Sequence, residues 1–255
     1  IGAILPWSSQ HRVANCLAKF AWKYLHSRRK TTLKNLMICF PEKDAESLYK
    51  DGQEVFFNTM LGVFEALNAW YCPKWYENRI HIHGIEHIKS AKGHGILLLG
   101  SHTTLLDAGG FISSRFFDLD VVYRPQNNPL LDMMITRCRA SSYKHQISKD
   151  DMKGLISSLK AGRAIWYSPD QDFGLKQGVM APFFGVQAAT LTAHRRLIKI
   201  ANAVAIPLFF YRTGDIKNPQ YHILLEKQLE NVHTNDEIND ATRVSFISEN
   251  QIRPH

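Results

Sequence analysis

Gly95-Ile96-Leu97-Leu98-Leu99-Gly100-Ser101-His102-Thr103-Thr104-Leu105-Leu106-Asp107 is the stretch on which the fold turns. Its apolar run is too short to cross a membrane and too continuous for a half-exposed strand, so it reads as a strand covered on both faces. Ligands in open α/β sheets gather outside the carboxyl ends of such strands. His102 stands at that end, and Asp107 follows five residues later as the chain turns away. A carboxylate that accepts from one imidazole N–H fixes the tautomer and frees the other nitrogen to take a proton. His102 and Asp107 are therefore a candidate general base and its orienting partner. The same letters also fit a loop His and Asp that merely cap a helix. Ser101 lacks the Gly-x-Ser-x-Gly frame of a nucleophile elbow. The simplest chemistry for the pair is deprotonation of a substrate hydroxyl, with no covalent enzyme intermediate.

Outward from this stretch, strands alternate with helices. Ile80-His-Ile-His-Gly84, Ile96–Leu99, Leu119–Tyr123, Ala164–Tyr167, Ala203–Tyr211 and Tyr221–Glu226 read as strands. Helical spacing recurs around residues 107–116, 129–139, 151–161 and 188–202. That order predicts an α/β fold, a mostly parallel central sheet flanked by helices. Residues 7–72 read as helical, interrupted at Pro41 and closed by Cys72-Pro73. The expected organisation is an N-terminal helical, membrane-associated region over residues 1–77 and an α/β core over 78–255, forming one continuous domain.

Val13, Leu17, Phe20, Ala21, Tyr24 and Leu25 recur at helical spacing beside Lys19, Lys23 and Arg28-Arg-Lys30. An aromatic, basic amphipathic helix suits a membrane interface, and it suits a core helix equally well. No run of about 20 apolar residues is present. The opening Ile1-Gly-Ala-Ile-Leu-Pro6 reads as the tail of a longer apolar segment.

Lys and Arg outnumber Asp and Glu by 31 to 23, a net charge of +8 that points to anionic partners. No basic stripe with interleaved aromatics accompanies it, which disfavours nucleic acid. Four scattered cysteines lack metal-ligand spacing and read as reduced thiols. Neither a metal nor a cofactor is expected.

Three further polar clusters follow predicted strands. In Val122-Tyr-Arg124-Pro-Gln-Asn127-Asn128, an Arg at a strand end suits a bidentate clamp for phosphate or carboxylate, and Pro-Gln-Asn-Asn is equally an ordinary turn. Tyr167-Ser-Pro-Asp170-Gln-Asp172 offers two carboxylates, either at work in a site or solvated in Asx turns. Ala205-Ile-Pro207 puts a proline in a strand, where it marks an edge, a bulge or a pocket wall. Four strand ends with polar or backbone-breaking residues on one sheet edge make a single site the economical reading.

Read together, these blocks resemble the glycerolipid acyltransferase superfamily: His102-x4-Asp107, Arg124, Ser168-Pro-Asp170-Gln-Asp172 and Ile206-Pro207. Within it the chain is most similar to the late acyltransferases of lipid A biosynthesis. Asn35-Leu-x3-Phe40-Pro-Glu42, Gly84-Ile-Glu-His-Ile88, Val122-Tyr-Arg-Pro-x-Asn-Asn128, Trp166-Tyr-Ser-Pro-Asp-Gln-Asp172 and Ala181-Pro-Phe-Phe184 carry that similarity. Asp170 stands where the superfamily usually has Glu, and Asp107 where the lipid A subgroup often has Glu.

The resemblance implies transfer of a fatty acyl group from an acyl carrier protein thioester to a hydroxyl of an anionic glucosamine-based lipid. It implies a bacterial inner membrane, cytoplasmic face, with an N-terminal anchor preceding this chain. His102 would be the base and Asp107 its partner, with Arg124, Asn127, Asn128, Asp170 and Asp172 binding substrate. Lys144, Lys149, Lys153 and Lys160 are candidates for a carrier-protein surface, and Phe183, Phe184, Phe209 and Phe210 for an acyl tunnel. The rival expectations are a lysophosphatidate-type glycerolipid acyltransferase, an ester or thioester hydrolase, and a non-catalytic membrane-binding module.

Overall fold

The computed structural model describes residues 5–171, 174–176, 178–215 and 217–252. Three helices come first: α1 (Trp7–Tyr24), α2 (His26–Cys39) and α3 (Ala45–Tyr71). Pro41 follows the end of α2, and Cys72-Pro73 stops α3 because the residue before proline is pushed out of helical geometry. Asp44 caps α3 by accepting from the Ser47 amide at 2.8 Å. The inner face of α1 is built of small residues, Ala14, Ala18 and Ala21, packed with Trp22 against α3. Val13, Leu17, Phe20 and Tyr24 face outward and are exposed, so the core-helix reading does not hold for them.

The rest alternates: β1 (Ile80–His83), α4 (Ile85–Ser90), β2 (Ile96–Leu99), α5 (Leu106–Ser113), β3 (Leu119–Tyr123), α6 (Pro129–Ala140), β4 (Gln146–Ser148), α7 (Met152–Lys160) and β5 (Ala164–Tyr167). Then come β6 (Gly178–Phe183), β7 (Val186–Leu191), α8 (Ala193–Ala201), β8 (Val204–Thr213), β9 (Gln220–Leu225) and α9 (Glu237–Ile252). Seven strands form one sheet in the order β1-β9-β8-β2-β5-β3-β4. Pairing is parallel from β8 to β4, whereas β9 runs antiparallel to β8 and carries β1 parallel at the edge.

The expected burial of β2 on both faces is observed. Ile96 and Leu98 join a core with α5, α3 and the tyrosines Tyr76 and Tyr143, while Leu97 and Leu99 face α7, α8 and α9. That period-2 split is what a strand between two helical layers requires. Pro207 sits where β8 changes partners, the last residue paired with β2 before Leu208 begins the pairing with β9. A missing N–H is tolerated at such a changeover.

Three parts differ from expectation. The stretch read as a helix from residue 188 divides into β7, ending at Leu191, and α8, starting at Ala193. β6 and β7 make a hairpin closed by Phe184 and Gly185, both at positive φ (49° and 75°), as a two-residue primed turn demands. The short edge strand β4 and the final helix α9 complete the fold and were not anticipated.

Two contacts fix α3 on the sheet. Glu65 is fully buried, and its Oε1 accepts from Arg212 of β8 at 2.5 Å and from the Tyr221 hydroxyl of β9 at 2.7 Å. Burial pushes its carboxyl up, against the pull of the Arg212 charge. One turn earlier, Gly62 lies against the loop after β2. A Cβ there would stand 2.2 Å from the Thr104 carbonyl oxygen, so no larger residue fits without moving that loop.

Candidate active site

The register of the sheet assembles the site. Leu99 of β2 pairs with Tyr167 of the neighbouring β5. Three residues beyond each lie His102 and Asp170, and they meet: His102 Nδ1 is 2.5 Å from Asp170 Oδ1. The other carboxylate oxygen, Oδ2, accepts from the His102 amide at 2.8 Å. One carboxylate thus grips both the ring and the main chain of the histidine. Since Asp170 faces Nδ1, that nitrogen carries the proton and Nε2 keeps its lone pair.

The expected contact between His102 and Asp107 is therefore corrected. Asp107 lies in the first turn of α5, and its Oδ1 accepts from the Arg139 guanidinium of α6 at 2.5 Å. The reason is strand order: β5, not the element that follows β2 in sequence, lies beside β2. The residue that reaches the ring comes from the neighbouring strand's loop.

His102, Asp107 and Arg124 line one cavity of about 320 Å³ at the carboxyl edge of the sheet. Its lining also includes the polar Arg139, Lys149 and Asp150 and the apolar Leu106, Val121, Leu155, Trp166 and Leu197. Gly110 and Tyr143 meet in its wall, where a Cβ on Gly110 would stand 2.3 Å from the Tyr143 hydroxyl. Burial holds that tyrosine well above the usual phenol range, so it stays neutral.

Arg124 makes no ion pair or hydrogen bond among the described residues. Asn128 is a helix cap: its Oδ1 accepts from the Leu130 amide at 3.0 Å at the start of α6. Asn127 is exposed, and neither asparagine is part of the cavity lining. Asp172 lies outside the described residues. The phenylalanines expected to form an acyl tunnel do other work. Phe209 and Phe210 pack into opposite cores, Phe184 meets Phe40, and Phe183 faces a second cavity of about 210 Å³ behind Asp170.

Arg139, Tyr143 and Trp166 were missed as site residues, and Lys149, expected on a carrier-protein surface, lines the cavity. Lys149 was legible by counting: Tyr123 of β3 pairs with Ser148 of β4, so Arg124 and Lys149 leave adjacent strands one residue later. Arg139 carries no such signal, because its place depends on the packing of α6. No cluster of three or more His, Cys, Asp or Glu side chains is arranged to hold a metal among the described residues. No described helix is long and apolar enough to cross a membrane.

A histidine gripped by a carboxylate, an arginine without an ion pair among the described residues and a cavity with many apolar lining residues thus meet at one sheet edge. The lipid A biosynthesis lauroyltransferase of Escherichia coli K12 is 34% identical over 232 residues, covering 86% of this chain and 73% of that protein. The palmitoleoyltransferase of the same strain is 30% identical over 256 residues, covering 97% of this chain and 81% of that protein. The crystal structure of a 1-acyl-sn-glycerophosphate acyltransferase from Thermotoga maritima superposes at a TM-score of 0.44 with 9% identity, covering 97% and 96% of the two chains. That structural likeness is too distant to bear on the reaction. The model of the family described as bacterial lipid A biosynthesis acyltransferase matches residues 1–255. Over its whole length, then, this chain belongs to the bacterial lipid A biosynthesis acyltransferases and is an acyltransferase enzyme.

Proposed function

We propose that the enzyme moves a fatty acyl group from an acyl carrier protein thioester to a hydroxyl of an anionic glucosamine-based lipid A precursor, with His102 as general base. The observation that carries this is the double grip of Asp170 on His102, which leaves Nε2 as the free nitrogen at the cavity. Nε2 takes the proton of the acceptor hydroxyl as its oxygen attacks the thioester carbonyl. The tetrahedral oxyanion collapses, the carbon–sulfur bond breaks, and the departing thiolate recovers the proton from the imidazolium. Asp170 stabilises that imidazolium and holds its orientation, the part expected of Asp107. Thr104 and Leu105 follow His102 with amide N–H groups that have no acceptor among the described residues, which makes them oxyanion-donor candidates. Arg124 is the candidate for a substrate phosphate or the developing negative charge, and the apolar lining for the acyl chain.

The setting proposed is the cytoplasmic face of a bacterial inner membrane. The outward face of α1 supports it, with Leu17, Phe20 and Tyr24 exposed beside Lys19 and Lys23.

The test is transfer by purified protein from acyl carrier protein thioesters to a lipid A precursor or to lysophosphatidate, read by mass spectrometry of the lipid. The expected product is a lipid A precursor heavier by one acyl group. His102→Ala should lower the single-turnover rate about 10²- to 10⁴-fold. Transfer to lysophosphatidate alone, or full activity of His102→Ala, overturns the proposal.

A further inference from the structure

Helix α6 is tied to the protein along one side and bare along another. Its carboxyl half is anchored to two neighbours. Cys138 Sγ donates to the Tyr71 hydroxyl of α3 at 3.2 Å, and the Thr136 carbonyl accepts from Gln146 of β4 at 2.9 Å. The outer side consists of Leu130, Met133, Met134 and Arg137, whose spacing of three, four and seven residues from Leu130 places them in one stripe. Leu130, Met133 and Met134 are 61%, 56% and 47% exposed. Single exposed apolar residues are ordinary, but three in register mark a surface that something covers. The charge around the stripe has one sign. Asp132 is the only acid between Arg124 and Ala140, and its Oδ1 already accepts from the Gln126 amide at 2.7 Å. Arg137 is exposed and makes no ion pair among the described residues.

We propose that this stripe is an interfacial docking surface, immersed in the headgroup layer of a bilayer that contains anionic phospholipid. Leucine and methionine supply apolar area that adapts to a fluid surface, and Arg137 supplies a charge for headgroup phosphates. Three apolar side chains are a small area, so the stripe orients the enzyme on the bilayer and does not by itself anchor it. This deepens the proposed acyl transfer and rests on it, because the acceptor there is a lipid. Arg124 just before α6 and Arg139 near its end both line the cavity of His102. With the stripe in the headgroup layer, that cavity lies at the surface of the leaflet. The acceptor's sugar can then reach His102 while its existing acyl chains stay in the bilayer. An acidic carrier protein would call for a mainly basic surface, whereas apolar side chains dominate this one and a single cation closes it.

The experiment places a fluorophore on the stripe. The four native cysteines are replaced by serine in the full chain, and Met133→Cys is labelled with an environment-sensitive nitrobenzoxadiazole dye. Lys160→Cys, at the far end of α7, carries the same dye as a control. Adding vesicles of phosphatidylethanolamine and phosphatidylglycerol should brighten the dye at 133 and shift it to the blue, with no change at 160. Separately, Leu130→Gln/Met133→Gln/Met134→Gln should raise KM for a vesicle-borne acceptor about 10- to 100-fold. The same triple variant should keep the wild-type KM for a short-chain acceptor that is monomeric in solution. A dye at 133 that stays in water while the protein sediments with the vesicles overturns the proposal. So does a blue shift produced by acyl carrier protein alone, or one that grows with protein concentration in the absence of vesicles, which would give the stripe to a protein partner or a second copy. An equal rise in KM for the soluble acceptor overturns it as well. The dye reads the surface without catalysis, so a wild-type enzyme that acylates no lipid strikes the proposed function alone.

Discussion

Two carboxylates stand at opposite edges of the sheet and are used in opposite ways. At the amino edge, Asp120 of β3 is completely buried and accepts from four donors. These are Ser158 Oγ at 2.5 Å, Arg163 Nε at 2.7 Å, and the His145 amide and ring at 3.0 and 3.1 Å. Burial pushes its carboxyl up, but those bonds and the Arg163 charge together carry it below the usual carboxylate range. At the carboxyl edge, Asp170 spends both oxygens on one residue, whose Nε2 has no hydrogen-bond partner among the described residues. The closed network ties α7, β3 and β5 together and offers nothing to a ligand. The open one leaves a valence facing a cavity.

The comparison is broken most directly at Asp170. Asp170→Asn should lower the single-turnover rate about 10²- to 10⁴-fold, with chemical unfolding showing the variant still folded. An unchanged rate would mean that its grip on His102 is structural, like that of Asp120. Asp120→Asn should do the reverse, costing about 3 kcal/mol of unfolding free energy in urea while the folded fraction keeps the wild-type rate. Because the Asp120 pKa is depressed on folding, its stabilisation is present above the ordinary carboxylate range and is lost as pH falls through its own lower value.

His194 of α8 sharpens the comparison, since it is buried without a comparable closed network. Burial drives its imidazole down to about 4, against an upward pull from Asp240. The unfolded imidazole protonates first, so stability is undiminished above about pH 6.5 and falls as pH drops toward 4, by about 3 kcal/mol at most. His194→Phe should flatten that slope in urea titrations at stepped pH. A slope unchanged by the substitution would place the titration elsewhere. The smallest effect belongs to Gly185, which closes the β6–β7 hairpin. Its φ of 75° makes Gly185→Ala cost about 1 kcal/mol in thermal unfolding, with catalysis untouched.

Much of the site could be read by counting from strand ends. Ile96–Leu99 announced a doubly covered strand, and His102 and Arg124 lie at the cavity where that reading put them. Which carboxylate serves His102 was not legible. The decision belongs to strand order: β2 and β3 are consecutive in the chain, yet β5 lies between them. No local pattern encodes that insertion, so the nearer Asp107 looked the better partner. The hairpin was hidden because Gln187-Ala-Ala-Thr190 suits a helix as readily as a strand, and Phe184-Gly185 is not a familiar turn pair. On α1 the periodicity was plain but its inner side was not. Alanines face α3, while the large residues that defined the stripe point away.

Gly62 gives that outward face a reach beyond its own helix. With the Thr104 oxygen against its Cα, and Glu65 locked to Arg212 and Tyr221 one turn on, α3 works as a lever with its short arm on the loop that carries His102. A tilt of the N-terminal helices relative to the sheet must either displace Thr104 or open a void beside it, and a close-packed interior resists both. A load borne by α1 would therefore reach the loop that carries His102, two residues from that side chain.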